Sequence, residues 1–515
     1  MATLSKPALP VPHRGLLTIS LMLSTTMQML DTTIANVALP HMQGSLSAAQ
    51  DQIAWVLTSY IVAAAIATPL SGWLADRFGR KQIVMVSVIG FTIASALCGM
   101  ATSLPEIVVF RLLQGLFGAS LVPIAQSIML DINPREKVGQ AMAIWGAGIM
   151  VAPIMGPTLG GWLTDNYDWR WVFYINLPIG ILAAIGTFLF MPGGEHNRNR
   201  PFDFIGFAML SIAIGALQLM LDRGELKDWF GSSEIVIEAA VSLCCFWMFG
   251  VYITMAKHPF LDPKLLKDRN YVTGLVFMSI LGMTLMATMA LLPPLLQGLM
   301  QYSAYTAGIA MMPRGVGTMV AMLLVGRLTG KVDSRLMLFI GFGTVAIALW
   351  QMASYSLLMD QHFIIISSIL QGWGLGFIFP PLTAIAFVTL SPALRNEGTA
   401  IFSLIRNVAG SIGISFAEAF FSESSQISHA DLAADVTPYA TAFKSPILGK
   451  IWNLHSTQGL AAINGEVSRQ AAMIAYVDVF KLMLILTLAC LPLLLFLRKG
   501  AAIPGGPPPS AVAAD

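Results

Sequence analysis

Apolar runs of about 20 residues, the length an α-helix needs to cross a hydrocarbon core of about 30 Å, recur along this chain between short polar connectors. They fall at 15 to 37, 53 to 75, 82 to 101, 106 to 128, 140 to 162, 169 to 191, 203 to 221, 234 to 256, 271 to 293, 306 to 326, 336 to 355, 363 to 387, 398 to 420 and 474 to 497. The rhythm predicts an all-α polytopic membrane protein with fourteen transmembrane helices. One connector breaks it. Residues 421 to 473 hold scattered charge and no apolar span, and read as a small extramembrane element, partly helical from Pro446 to Ile474. A structureless loop of that length is uncommon in a compact fold unless it is functional.

Composition narrows the classes further. Hydrophobic residues make up 56% of the 515 and charged residues 11%, against about 25% charged in an ordinary soluble domain, which excludes a soluble globule. Lys and Arg (29) nearly balance Asp and Glu (27), so no basic field exists to attract nucleic acid. Cys98, Cys244, Cys245 and Cys490 lie in apolar runs, and two of them are adjacent, so no disulfide framework is expected. All seven histidines fall in tails, loops or span margins, and no HExxH occurs, so neither a metal site nor a cofactor is expected. The nearest approach to a phosphate loop, G-R-L-T-G-K-V from Gly326, has the wrong spacing and lacks the magnesium-binding Ser or Thr. A nucleotide-driven pump and a membrane enzyme are both disfavoured.

Orientation follows from where Lys and Arg sit. With the N-terminus inside, the inner connectors and tails hold 19 of the 29, from Lys6 and Arg14 to Arg498 and Lys499. Both termini are then expected in the cytosol. The chain also echoes itself: G-W-L-A-D-R-F-G-R-K after span 2 and G-R-L-T-G-K-V-D-S-R after span 10 each join two spans on the inner side. Two fused six-helix bundles would leave such an echo, with a substrate site between them near the midplane. The expected division is a cytosolic tail (1–14), a first bundle (15–191), a linker with two inserted helices (192–256), a second bundle carrying the loop 421–473 (257–497), and a cytosolic tail (498–515).

Several motifs make a resemblance specific. The first connector, with Gly72, Asp76, Arg77, Gly79 and Arg80, is similar to the signature loop of the major facilitator superfamily. F-R-L-L-Q-G in span 4 resembles that superfamily's arginine motif. G-I-M-V-A-P-I-M-G-P-T-L-G-G in span 5, with Gly148, Pro153, Gly156, Pro157, Gly160 and Gly161, resembles the antiporter motif of its drug exporters. L-D-T-T-I-A-N-V-A-L-P, W-R-W-V-F-Y-I-N-L-P-I-G and R-N-V-A-G-S-I-G resemble the fourteen-span drug:proton antiporters, and L-M-L-D-R-G-E-L-K-D-W-F with the long outer loop resembles their EmrB-like efflux permeases. The sequence departs from the pattern at Gly330, which stands where the first connector has Asp76, and this implies a weaker gate in the second half.

The resemblance implies a proton-driven antiporter of the bacterial inner membrane that exports hydrophobic or amphipathic drugs by alternating access. It also implies a three-part efflux system, with a periplasmic adaptor similar to EmrA docking on 421 to 473 and an outer-membrane channel similar to TolC. The alternatives are a carrier of one metabolite or siderophore on the same fold, or a pump working without an adaptor. Beside the resemblance stands a physical reading of charges within spans. A charge at a helix centre in lipid costs at least about 2.5–3.5 kcal/mol and marks function by default. Asp31 in span 1 and Arg111 in span 4 fall at similar depth, so they could meet. Burial favours a neutral carboxyl and a neighbouring cation favours the carboxylate, and a movable balance between the two suits proton coupling. Arg314, Arg406 and Glu418 are candidates for the substrate cavity or for coupling.

Overall fold

The computed structural model describes residues 11–134, 137–193, 201–329, 331–437, 453–454 and 456–497. Their helices are α1 (Arg14–Ser45), α2 (Trp55–Ala67 and Leu70–Phe78), α3 (Arg80–Met100), α4 (Leu104–Ile132), α5 (Val138–Asn166), α6 (Trp171–Phe190), α7 (Phe204–Arg223) and α8 (Ser233–Met255). The second half continues with α9 (Arg269–Leu299), α10 (Thr306–Leu328), α11 (Ser334–Met352), α12 (Gln361–Phe387), α13 (Arg395–Ala434) and α14 (Thr457–Phe496). Twelve of them are long and apolar enough to cross a membrane, and up to thirteen if the bent α2 counts as one. The expected count of fourteen is not confirmed. The shortfall is α1, whose 32 residues are long enough at about 1.5 Å each but whose middle carries Thr25, Thr26, Gln28, Asp31, Thr32 and Thr33. Thr25 donates to the Leu21 carbonyl at 2.9 Å and Thr33 to the Leu30 carbonyl at 3.0 Å within the helix, while Thr26 donates to the Gly148 carbonyl of α5 at 3.4 Å, so the backbone stays helical despite the polar stripe.

Breaks in the helices have local causes. The 55° bend in α2 falls at Pro69, which lacks the N–H that would continue the ladder. The interruption of α5 at Met150 precedes Pro153, which cannot donate back to Ile149. Two bundles form, α1 to α6 and α9 to α14. They meet where α5 lies along α10 and α12, and where the ends of α2 and α4 meet the start of α13. The pair α7 and α8 packs mainly on itself and seats α7 across α2 and α13, with Gln218 Nε2 donating to Ser411 Oγ at 2.9 Å and Ser415 Oγ donating to the Leu221 carbonyl at 2.7 Å. Only 17% of the apolar window of α8 is buried, so its Leu243, Trp247 and Met255 face outward, as a lipid-contacting helix requires.

The long connector departs from its expected form. Helix α13 continues past the membrane-length run to Ala434, and α14 begins at Thr457. The two extensions pair: Phe421 and Tyr476 rings lie 4.5 Å apart, Ser424 Oγ donates to Asp478 Oδ2 at 3.1 Å, and His429 Nε2 lies 3.0 Å from Asn464 Oδ1. Hydropathy ended the span at 420, but no Pro or Gly interrupts the segment from Phe421 to Ala434, so the helix continues. The segment expected to be partly helical from Pro446 to Ile474 is helical from Thr457 onward, while its start, including Ile451 and Trp452, lies outside the described residues, as do most of both terminal tails.

The inserted pair is tied down by Asp203. Its Oδ1 accepts from Gly206 N at 2.9 Å and Tyr252 Oη at 2.8 Å, and its Oδ2 accepts from Phe260 N at 2.9 Å. One carboxylate therefore caps α7, holds α8 and anchors the connecting segment that leads to the second bundle. Asp203→Ala removes the cap and two further charge-assisted bonds, and is expected to cost about 2 kcal/mol or more. The check is a lowered thermal transition of the purified chain, with Ser232→Ala, at a cap whose side chain makes no capping bond, leaving it unchanged.

Candidate functional site

Within the first bundle, polar groups from five helices converge on one carboxylate. Asp31 and Arg111 are both essentially inaccessible, at 1% and 0% exposure, and their ion pair is 2.6 Å long. Asp31 Oδ1 also accepts from Gln114 Nε2 at 2.8 Å and Asn176 Nδ2 at 2.9 Å. The Arg111 Nη1 also donates to Gln114 Oε1 at 2.8 Å, and Nε donates to the Val56 carbonyl at 3.2 Å. Its guanidinium lies over the rings of Tyr60 and Phe173 at 5.0 and 5.2 Å, the geometry of a cation–π contact. Asn176 is steadied by Ser95 at 3.0 Å, whose hydroxyl donates to the Phe173 carbonyl at 2.9 Å. Three polar atoms in this cluster, Arg111 Nη2, Asn176 Oδ1 and Tyr60 Oη, are buried without a hydrogen-bond partner.

The span 5 motif lies against the helix that carries this carboxylate. Gly148 packs on Met22, Gly156 on Thr33 and Gly160 on Ile34, with Gly161 near Val37, so the glycines follow α1 on either side of Asp31. Pro153 stands in the first turn after the α5 break, and Pro157 follows within the same helical run. The opposite face of α5 meets the second bundle, where Ile154 packs on Gly315 of α10. One helix thus contacts both Asp31's helix and the other half of the molecule.

A second polar cluster joins the halves at the end that carries the signature loop. Gly79 has φ 91°, a conformation that L side chains rarely adopt, and turns the chain from α2 into α3 so that Arg80 reaches Asp131 at 2.6 Å. Asp131 also pairs with Arg395 at the start of α13. Asn396 accepts from Ser127 Oγ at 2.6 Å and donates to Asp76. Gly72 lets α2 approach the same turn, since a Cβ there would stand 2.9 Å from Glu397 Cα. Arg77 lies over Trp73 at 5.3 Å.

The remaining candidates lie apart. Arg314 is 8% exposed on α10 and donates to the Leu285 carbonyl of α9 at 3.5 Å, while its Nη1 has no partner. Arg406 on α13 is half-buried and reaches only the Oδ1 of its neighbour Asn407, at 3.4 Å. Glu418 is exposed on α13 and belongs to neither cluster. Gly330 lies outside the described residues.

Reading the sequence singled out Asp31 and Arg111 but missed several partners. Asn176 stood in a quoted segment as a motif letter only, and Ser95 carried no signal, because a lone Ser in an apolar run is ordinary. Asp131, Arg395 and Asn396 sat at span margins, where charge usually means solvation. The pairing of Asp131 with Arg395, across 264 positions of sequence, is visible only in three dimensions.

Replacing Gly72 by Leu should wedge α2 from α13 and loosen this end. Ser127, fully buried beneath Asn396, reports it. In a chain with its own four cysteines removed, a cysteine at 127 is expected to be alkylated several-fold faster in the Gly72→Leu background. An unchanged rate would show that this close approach does not hold the end shut.

A family model described as Major Facilitator Superfamily matches residues 21–414. The chain is 36% identical over 478 residues to the fatty acid resistance protein FarB of Neisseria gonorrhoeae, covering 92% of this chain and 94% of that one. It is 36% identical over 498 residues to the multidrug export protein EmrB of Escherichia coli (strain K12), covering 95% and 96%. Among solved structures, the human organic anion transporter MFSD10 superposes with a TM-score of 0.60 over 92% of this chain and 99% of that one. At 13% identity it shows the fold alone.

Proposed function

The chain belongs to the Major Facilitator Superfamily, and from that premise we propose that this multi-pass membrane protein is a proton-driven exporter of hydrophobic or amphipathic drugs across the bacterial inner membrane. The observation that carries the proposal is the buried Asp31–Arg111 pair, held in the first bundle against the helix that contacts both halves. Relatives named multidrug export protein support the cargo class. Within the membrane the proposed cycle involves proton, drug and lipid, with no cofactor.

In the proposed cycle, a proton taken up by Asp31 neutralises the carboxylate and releases Arg111 from its 2.6 Å partner. The spare atoms of Arg111 and Asn176 offer that freed geometry alternative hydrogen bonds. Because the α5 glycines lie against α1, a shift of α1 is felt along the α5–α10 contact, where one bundle rocks on the other. The cluster of Asp131, Arg80 and Arg395 must separate when the Arg80 end opens. We place that end in the cytosol with both termini, on the positive-inside distribution of Lys and Arg. A membrane potential adds about 2.3 kcal/mol per charge moved per 100 mV.

Asp31→Asn preserves shape but cannot take up a proton. It should abolish uphill drug export by reconstituted protein, while Asp31→Glu keeps a measurable part of it. Removing one partner of a buried pair costs about 3–5 kcal/mol, so the Glu variant separates lost coupling from lost folding. Export by wild type that persists after the proton gradient and potential are collapsed would refute proton drive, and Asp31→Asn pumping as well as wild type would make Asp31 structural.

The three-part assembly rests on the paired extensions of α13 and α14, which project beyond the membrane-length runs and are large enough to present a surface to a periplasmic adaptor similar to EmrA, leading to a channel similar to TolC. Ile427 and Leu460 are exposed apolar residues on these extensions, which suits a contact based on shape and apolar area. Replacing residues 427–470 by a short Gly and Ser linker should abolish drug resistance in intact cells and spare transport in proteoliposomes. Normal resistance would remove the adaptor from the proposal, and lost transport in liposomes would assign the segment to the pump's own outer gate.

A further inference from the structure

The end that carries Arg80 is closed by more than charge. Deeper in the molecule than the Asp131 cluster, an aromatic pair joins the two halves. The ring of Trp145 on α5 stacks on that of Phe379 on α12, with centroids 6.4 Å apart and planes 29° apart. Trp145 follows the start of α5, and Phe379 precedes the end of α12, by about two turns, so both lie about 11 Å in from that end. Gly146 makes room beside them, since a Cβ there would stand 2.9 Å from Met322 Sδ and 3.7 Å from Phe379 Cδ1. Ala143, Ala147 and Met322 form a small buried apolar cluster against which Phe379 packs, together with Met150 and Met319.

Two features set this pair apart from an ordinary core contact. Trp145 is fully buried, yet its Nε1 has no hydrogen-bond partner. A buried indole N–H normally finds an acceptor, so this donor marks a place where an acceptor is missing. Phe379, the ring that covers Trp145 from the other half, is only half-buried. The stack must also part: its two rings belong to different bundles, so a rocking motion that opens the Arg80 end separates them. What that motion uncovers is a bare indole face with an unmatched donor at its edge, beside methionines that can reshape around a guest.

We infer that Trp145 is a cargo-recognition residue. A planar aromatic amphipath entering from the Arg80 end takes the place of the Phe379 ring on the Trp145 face, and its oxygen accepts the hydrogen bond that Nε1 lacks in the closed arrangement. The chemical class is a flat ring system bearing a carbonyl or ether oxygen, preferred over an aliphatic chain of similar size. Phe379 is the internal stand-in for the cargo ring, and it competes with the guest. Offset stacking supplies the preference for a ring, and the N–H the preference for an acceptor. The inference rests on the export reading and deepens it by naming a residue that selects cargo, but its test reads binding alone.

The test is equilibrium dialysis of purified protein in phosphatidylcholine nanodiscs, with empty nanodiscs as reference, against three uncharged probes. Acetylnaphthalene has ring and acceptor, ethylnaphthalene the ring alone, and undecanone the acceptor alone. Wild type is expected to bind acetylnaphthalene most tightly. Trp145→Phe keeps a ring but removes the donor, and should lower acetylnaphthalene affinity about fivefold, to the level of ethylnaphthalene. Trp145→Leu should weaken both naphthalenes about tenfold, equivalent to about 1.4 kcal/mol, and leave undecanone unchanged, which also shows that the variant is folded. Phe379→Leu removes the competitor and should tighten both naphthalenes about threefold. Unchanged naphthalene binding in Trp145→Leu would overturn the inference, as would equal losses of all three probes. Weaker naphthalene binding in Phe379→Leu would overturn it too, because a guest cannot need the ring it displaces. Ring-selective binding in a protein that shows no proton-coupled export would leave Trp145 as assigned and refute the exporter reading.

Discussion

A charge placed in a hydrocarbon layer must find a partner, and most of this molecule's internal organisation follows from that constraint. Asp31 is removed from water almost completely, and removing an ion from water without compensation costs several kcal/mol or more. The compensation comes from five helices at once: α1 supplies the carboxylate, α4 the guanidinium and Gln114, α2 the Val56 carbonyl and Tyr60 ring, α3 Ser95, and α6 Asn176 and the Phe173 ring. A network of that kind specifies how its helices pack, because each partner satisfies the others. It is also incomplete, with one nitrogen of Arg111 and one oxygen of Asn176 left over. A fully satisfied network would have a single low-energy arrangement, whereas spare donors and acceptors permit a second, as a proton-switched element requires.

Transmission beyond that network depends on how close two backbones can come. Side chains along α5 opposite Thr33 or Ile34 would separate α1 from α5 by the width of a residue, and a shift in one would be absorbed by rotamer changes. Glycine at 148, 156 and 160 brings backbone against side chain directly, so the contact is stiff. The same economy operates at Gly72, whose lack of a Cβ lets α2 lie on the first turn of α13. In both places a small residue sets a distance, and the distance decides whether polar groups such as Asp76 and Asn396 are in reach.

The helices were legible in the sequence because the membrane forces the backbone to satisfy itself, which leaves a long apolar signal for each span. The signal failed where helix and apolarity part company. Helix α1 is long but threaded with Thr, Gln and Asp, and α13 and α14 remain helical well beyond their apolar runs. At the site, Asp31 and Arg111 were visible because an ionisable residue in mid-span is conspicuous. Asn176 and Ser95 were not, since neutral polar residues cost little in a helix and only their convergence gives them meaning. Asp131 and Arg395 were hidden for a different reason. At a span margin, a solvated charge and one buried between two bundles look alike in one dimension, and the distinction lies in which helix arrives opposite.

The two halves, although built to one plan, manage charge in opposite ways. The first encloses its ionic pair where neither water nor cargo touches it, so that pair can respond only to something as small as a proton. The second holds Arg314 and Arg406 by single long hydrogen bonds, to the Leu285 carbonyl at 3.5 Å and Asn407 Oδ1 at 3.4 Å, with no carboxylate in ion-pair distance among the described residues. With the Asp31–Arg111 pair in one half and these two arginines in the other, the contact between halves, α5 along α10, is the direct physical link between the two sets of buried charge. The Gly- and Pro-rich stretch of α5 lies along that contact, with Gly156 and Gly160 against α1 and Ile154 against Gly315 of α10.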